Sequence, residues 1–121
     1  MVVEEIEWID KEGKEAIIKV ANETGDLRCF SCPCSYNIGD TLSEPLECLD
    51  TDCIVECDIC ECLIRKEDGE FKYTLRGRLA DRQNGFIDVD GFRLHIDSNK
   101  IPKDIKKGMF IQFVASRIDV W

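Results

Sequence analysis

Strict alternation of two residue classes between positions 71 and 79 is the feature that most constrains how this chain folds. Successive side chains of a β-strand point to opposite faces, so a period of two predicts a half-buried strand. One set of positions is apolar or glycine and the other is polar and mostly basic. The first set is Phe71, Tyr73, Leu75, Gly77 and Leu79, and the second is Lys72, Thr74, Arg76 and Arg78.

A β-hairpin is predicted directly after this strand. An Asp-Gly pair at 90–91 separates two alternating segments, 86–89 and 92–96. Asp-Gly favours a two-residue type I′ turn, because both central residues of that turn need positive φ. A turn of this length sets the register and places Asp88 opposite Arg93 on the outer face. The inner pairs are expected to be Val89 with Phe92 and Ile87 with Leu94.

Several more short strands are expected, and no long amphipathic helix is visible. Residues 101–107 are interpreted as one helical turn, and Ser43-Glu44-Pro45 as the start of a short helix over 46–49. The alternation of Cys53, Val55, Cys57 and Ile59 predicts one strand over residues 53–63. The remaining strands are expected at residues 4–9, 16–20, 27–32, 109–114 and 117–121.

The order strand, hairpin, loop, glycine, strand occurs twice, with Gly39 in the first half at the place of Gly108 in the second. The 121 residues suit one domain. We therefore expect one compact module with two similar β halves, residues 1–63 and 71–121, joined by a loop at 64–70. Two tandem small barrels are the alternative.

This element order resembles that of the OB-fold, a small antiparallel β-barrel. The resemblance is architectural and matches no specific motif. It implies an all-β, OB-like barrel, or two of them. OB-like barrels often bind oligonucleotides or small ligands, although a fold alone does not define a function.

Charge is distributed unevenly along the chain, whose net charge is −9. Residues 1–60 carry 15 acidic and 4 basic side chains, whereas residues 61–121 carry 10 and 12. Nucleic-acid binding is not expected of such an acidic chain, because phosphates would be repelled. The charge either keeps the protein soluble or lets the acidic half cap a basic protein, as an inhibitor does. Glu44, Glu47 and Asp50 are the acidic residues on which that second hypothesis would be tested.

Four basic side chains share the predicted outer face of the second half. They form a candidate surface for phosphate or for an acidic partner, and the alternative is an ordinary solvated sheet face. These residues are Lys72, Arg76, Arg78 and Arg93.

Six of the eight cysteines fall in two C-x-x-C-x-C groups, at 29–34 and 57–62. Zinc prefers four tetrahedral thiolates, and a C-x-x-C turn brings two sulfurs to one ion. Thiolate clusters also suit copper(I) or an iron–sulfur cluster. The main competing interpretation is that the cysteines are small buried hydrophobes and that no cofactor is bound. Disulfide or redox chemistry is the third alternative. The candidate zinc ligands are Cys29, Cys32, Cys57 and Cys60, with Cys34 and Cys62 as additional thiolates.

Recognisable catalytic motifs are missing from the sequence, and the single histidine, His95, is expected to point outward beside Arg93 and opposite Phe86. The N-terminal residues do not read as a secretory signal, and no apolar run is long enough to cross a membrane. A cytoplasmic location with reduced thiols is therefore expected. We interpret the chain as a non-enzymatic binding module of unknown ligand; its partner is unknown, and a protein is one candidate.

Overall fold

A computed structural model describes residues 1–43 and 45–120. This part of the chain is all β, as predicted, with a single 3₁₀ turn at Ser98–Lys100. The strands are β1 (Val2–Asp10), β2 (Glu15–Ala21), β3 (Asp26–Ser31), β4 (Leu46–Leu49), β5 (Asp52–Glu56), β6 (Leu63–Lys66), β7 (Tyr73–Asp81), β8 (Phe86–Val89), β9 (Phe92–His95), β10 (Phe110–Ala115) and β11 (Arg117–Asp119). No helix in the described residues is long and apolar enough to span a membrane.

The strands form one sheet in the order β1-β2-β3-β11-β4-β9-β8-β7-β10-β5, with β6 added to β7. β11 and β4 pair antiparallel in the middle, and a three-strand meander lies on each side of them. β11 joins β3 in parallel and β4 joins β9 in parallel. Each meander is therefore extended by a strand from the other half of the chain. The path has two ends, β1 and β5, so the sheet is compatible with a barrel-like arrangement but is not closed.

Gly39 and Gly108 make the same hydrogen bonds in the two halves. The Gly39 N–H donates to the Val3 carbonyl, and the Gly108 N–H donates to the Leu79 carbonyl, both at 2.8 Å. The φ angles of the two glycines are +95° and +92°. Glycine tolerates this left-handed conformation because it has no Cβ. The two glycines therefore make equivalent backbone contacts in the two halves.

The hairpin between β8 and β9 has the predicted register, including Asp88 opposite Arg93. Its turn residues, Asp90 and Gly91, have φ angles of +47° and +85°, as a type I′ turn requires. The inner side chains belong to one hydrophobic core that also contains Ile18 from β2. The predicted inner pairs, Val89 with Phe92 and Ile87 with Leu94, are all buried.

The helix predicted over 46–49 is wrong, because this segment is β4. Leu46 and Cys48 are buried and alternate with half-buried residues, as required of a strand held between β11 and β9. Glu44, which belonged to the predicted helix start, lies outside the described residues. The pairing that selects a strand here involves residues distant in the sequence, so tertiary contacts override the local signal.

The single strand predicted over 53–63 is also wrong. The segment contains two separate strands with different partners, because β5 pairs with β10 and β6 pairs with β7. Between them the chain leaves the edge of β10 and crosses to the edge of β7. Because β6 extends to Lys66, the connection to β7 is shorter than the loop predicted at 64–70.

The helical turn predicted over 101–107 is not found at those residues, and a 3₁₀ turn lies just before them, at Ser98–Lys100. The observed 3₁₀ turn begins after Asp97, whose side chain accepts a hydrogen bond from the Asn99 N–H. Ile101 and Ile105 instead anchor an irregular segment in the core. The final strand is shorter than expected, and Trp121 lies outside the described residues.

Gly77 lies where one edge of β7 changes partner. The residues before it pair with β6 and those after it pair with β8. A Cβ at Gly77 would lie 2.3 Å from the Asp88 carbonyl oxygen and 2.5 Å from a Val89 methyl carbon. The close approach of β8 to β7 therefore needs a residue without a side chain at this position.

The variant Gly77→Ala should lower the free energy of unfolding by about 2–3 kcal/mol, because backbone atoms must move to make room. Urea unfolding monitored by tryptophan fluorescence would measure the change. Gly25→Ala is the matched control, since a Cβ there meets nothing within 4 Å. Its effect should stay within about 1 kcal/mol. Equal losses in both variants would contradict this account of Gly77.

Candidate binding surface

Arg76, Arg78 and Arg93 lie together on the outer face of the second half. Arg76 and Arg78 are two positions apart on β7 and so project from the same face. Arg78 pairs in register with Asp88 on β8, and Asp88 pairs with Arg93 on β9. The structure therefore brings together three of the four basic residues selected from the sequence. We call these three residues the arginine face.

Aromatic rings and amides, rather than carboxylates, hold the three guanidinium groups. The Arg78 guanidinium lies 5.1 Å from the centre of the Phe110 ring, and that of Arg93 lies 4.4 Å from the centre of the Phe86 ring. The Arg76 side chain donates to the Gln112 amide oxygen at 3.1 Å. Stacking on a ring restrains a guanidinium while its N–H groups stay available to a ligand.

None of the three arginines forms an ion pair within residues 1–43 and 45–120, although the chain has a surplus of carboxylates. Arg28 and Arg65, in contrast, each contact a carboxylate oxygen at 2.6 and 2.7 Å. The arginine face therefore has no carboxylate at ion-pair distance within the described residues. Two carboxylates lie nearby: Asp88 is in register between Arg78 and Arg93, and the pKa of Asp81 is lowered mainly by hydrogen bonds from Asn84, with a smaller contribution from the charge of Arg93.

Lys72 lies apart from this face, just before β7. Hydrogen bonds from Arg65 and Thr74, with added attraction from the charges of Arg65 and Lys72, lower the pKa of Glu67. Lys72 also lies outside β7 and takes no part in the pairing of that strand with β6, β8 or β10. We therefore leave Lys72 out of the arginine face, which differs from the set of four selected from the sequence.

His95 is not an isolated surface side chain. It faces outward and opposite Phe86, as predicted, and the two ring centres are 5.5 Å apart. Its Nδ1 also lies 2.6 Å from a carboxylate oxygen of Glu47 on β4. The ring N–H donates to the carboxylate, so this contact ties β9 to β4.

A second carboxylate, Asp119, lies beside Glu47 across the β11–β4 pair. Asp119 is buried, with 7% of its surface exposed, and it accepts two hydrogen bonds from Arg117 at 2.6 and 2.9 Å. The hydrogen bond to Asp119 is the main reason that the pKa of Arg117 is raised. The Arg117 guanidinium also lies 4.2 Å from the centre of the Phe30 ring.

Neighbouring like charges on a sheet destabilise it unless each is compensated. Here Glu47 is compensated by His95 when the imidazole is protonated, and Asp119 by Arg117. The geometry therefore supports a structural role for this cluster in the centre of the sheet. Neither pair was predicted from the sequence. Arg117 and Asp119 are two residues apart, so side-chain alternation on one strand could have indicated their contact. Glu47 and His95 are 48 residues apart, and no local pattern links them.

Three of the eight cysteines lie in the hydrophobic core. Cys29 on β3 and Cys48 on β4 are buried, and burial is the main reason that the pKa values of both thiols are raised. Cys34 is buried as well. These thiols therefore behave as small apolar side chains, and Cys29 is a poor candidate for a zinc thiolate in this fold.

The other proposed ligands are spread over separate surface segments. Cys32 and Cys60 are exposed, and Cys57 and Cys62 are half-buried at the two ends of the loop between β5 and β6. Within the described ranges, no group of three or more His, Cys, Asp or Glu side chains is placed to hold a metal ion. The structure does not bring Cys29, Cys32, Cys57 and Cys60 together.

The loop between β5 and β6 joins two strands that are not neighbours in the sheet. β5, β10, β7 and β6 lie side by side in that order, so residues 57–62 cross three strand spacings. Cys57 begins the loop, where its N–H donates to the Phe110 carbonyl of β10 at 2.9 Å, and Cys62 directly precedes β6. The second cysteine group therefore begins and ends beside different strands.

No family model, curated protein or solved structure matches this chain. Function must therefore be argued from the surface described above.

Thiol labelling should separate the cysteines by burial. In native, reduced protein, N-ethylmaleimide should modify Cys32, Cys53 and Cys60 quickly and Cys57 and Cys62 more slowly. Labelling of Cys29, Cys34 and Cys48 should require unfolding, because their sulfur atoms are inaccessible. Peptide mass spectrometry would locate each adduct. If Cys57 and Cys60 resist labelling until a zinc chelator is added, the predicted order of labelling is wrong and a metal site is favoured.

The buried thiols should make stability fall at alkaline pH. Above about pH 8.5 the thiols of the unfolded chain ionise, whereas those of Cys29 and Cys48 stay protonated in the fold. The free energy of unfolding should then drop by about 1.4 kcal/mol per buried thiol between pH 7.5 and 9.5. Urea titrations at the two pH values would measure it.

The variant Cys48→Ala should show a drop smaller by about 1.4 kcal/mol. Cys60→Ala should show the drop of the unmodified protein, because an exposed thiol is solvated in both states. If the two variants show the same pH dependence, the core thiols are not its source.

Proposed function

We propose that this protein is a non-enzymatic interaction module whose arginine face binds an acidic segment of a partner protein. The observation that carries the proposal is the absence of an ion pair at Arg76, Arg78 and Arg93 in the described part of a chain of net charge −9. With 25 acidic residues on the chain, nearby carboxylates could have neutralised these side chains. A guanidinium binds a carboxylate through two parallel hydrogen bonds, so an acidic ligand matches this surface.

The arrangement of the face supports binding along neighbouring strands. Phe86 and Phe110 support two of the guanidinium groups, which lowers the loss of side-chain entropy on binding. Asp88 lies in register between Arg78 and Arg93, so its negative charge separates the two positive side chains. An elongated segment with several carboxylates can contact both arginines, whereas a single small anion would contact one of them.

The OB-like resemblance also favours this face. β7, β8 and β9 form a meander, and β10 returns antiparallel to β7, which is the strand order of an OB barrel up to its fourth strand. OB barrels bind ligands on the face of their second and third strands. In this chain those strands are β8 and β9, which carry Phe86 and Arg93.

Other predictions remain open beside this proposal. They include a zinc–thiolate protein, an acidic inhibitor of a basic protein, the one-module organisation and the cytoplasmic location. For the inhibitor hypothesis, Glu47 is already engaged by His95, which weakens it as a contact residue, and Glu44 lies outside the described residues.

Fluorescence anisotropy with a labelled eight-residue glutamate peptide would test the arginine face. The variant Arg78→Gln/Arg93→Gln should weaken binding about tenfold or more, because two charged contacts are lost. Binding to the unmodified protein should weaken as salt rises. Lys103→Gln/Lys107→Gln is the matched control, since it removes the same charge from an exposed loop.

Equal losses in the two double variants would show a general charge effect and reject the arginine face. Tighter binding of an oligothymidylate of equal charge would reject the acidic-protein assignment in favour of nucleic acid. A thermal melt of each variant would show whether it is folded.

A further inference from the structure

The outer edge of β1 is open over most of its length. β1 ends the sheet, and β2 pairs with its other edge. On the outer edge, residues 39–42 pair with residues 1–3 alone, through three backbone hydrogen bonds of 2.8 Å that involve Met1 and Val3. Beyond Val3, no backbone bond reaches this edge from the described residues. Residues 5–8 pair with β2 without a register shift, so they present a regular free edge.

The corresponding strand of the second half has no such opening. β10 pairs with β7 from Tyr73 to Arg78, and β6 and β8 cover the opposite edge. Because Gly39 and Gly108 occupy equivalent positions, residues 39–42 correspond to the start of β10. The first half thus has only the beginning of a strand where the second half has a complete one.

Side chains of opposite character flank the free edge on its two faces. Glu5 and Glu7 lie on one face, with side chains 70% and 68% exposed. On the other face, Ile6 packs against the core, and Trp8 follows it with 39% of its surface exposed. An added strand would therefore meet carboxylates on one face and an indole ring on the other.

The negative charge beside this edge is only partly compensated within the described residues. Lys19 alone contacts Glu4, Glu5 and Asp26, at 3.2 to 3.9 Å. Arg28 alone contacts Glu7 and Glu70. Five carboxylates thus share two cations, which leaves a surplus of negative charge for a ligand to neutralise.

We infer that the β1 edge at residues 5–8 accepts an extended segment of a partner protein that alternates basic and apolar residues. Main-chain hydrogen bonds to the free edge would supply affinity, as in other strand-addition complexes. Basic side chains would pair with Glu5 and Glu7, and apolar ones would pack on Trp8. A second copy of this chain fits poorly, because β1 paired with itself brings glutamates together.

The probe is an acetylated and amidated ten-residue peptide that alternates lysine and valine, and calorimetry would measure its binding. A second peptide of the same sequence carries N-methyl groups on alternate residues, along one edge only. N-methylation removes the N–H donors while keeping charge and side chains. We expect the methylated peptide to bind at least tenfold more weakly. Hydrogen exchange should slow at residues 5–8 on adding the first peptide and not on adding the second.

The variant Glu5→Gln/Glu7→Gln should also weaken binding of the unmethylated peptide about tenfold. Its matched control is Asp68→Asn/Asp104→Asn, which removes two exposed carboxylates elsewhere and should bind normally. Arg78→Gln/Arg93→Gln should also bind this peptide normally, so failure of the arginine face and failure of the β1 edge are distinguishable.

Equal binding of the two peptides would overturn the inference, because only electrostatic attraction would then be at work. Equal losses in the two acidic double variants would overturn it too. Sedimentation showing a dimer of the free protein, with residues 5–8 protected from exchange, would assign the edge to a second copy instead.

Discussion

The antiparallel contact between β11 and β4 joins the two meanders into one sheet. Ile118 pairs with Cys48 at its centre, and both side chains are buried in the core. Each of the two strands then continues in parallel into the meander of the opposite half. Separating β11 from β4 would expose core side chains and divide the sheet, so the rest of the fold depends on this contact.

Carboxylates in the middle of the sheet are tolerated because each accepts a hydrogen bond from a neighbouring side chain. Glu47 and Asp119 are neighbours across the central pair, and they are held by His95 and Arg117. The polar groups at the centre of the sheet are thus engaged with one another. The two surfaces that we propose for partners lie further out and have opposite sign: the arginine face on the second meander and the acidic edge of β1 on the first.

The fold uses the cysteines in two ways. Cys29 and Cys48 fill the core where the strands of the two halves meet, and the repeated C-x-x-C-x-C spacing does not produce two equivalent loops. The first group begins in β3, whereas the second lies on a loop that connects two non-adjacent strands. Equal spacing in sequence therefore does not lead to equal geometry, because the strands that flank each group have different partners.

Local chemistry in the sequence determined the all-β class, most strands and the register of the hairpin at 90–91, because alternation and a two-residue turn act between near neighbours. It also placed Arg76, Arg78 and Arg93 on one outer face. Only the tertiary structure decided that residues 46–49 form a strand, that His95 meets Glu47, that Cys29 is sealed in the core and that β1 keeps an open edge. Each of these depends on which distant strands become neighbours, and neither side-chain alternation nor turn chemistry carries that information.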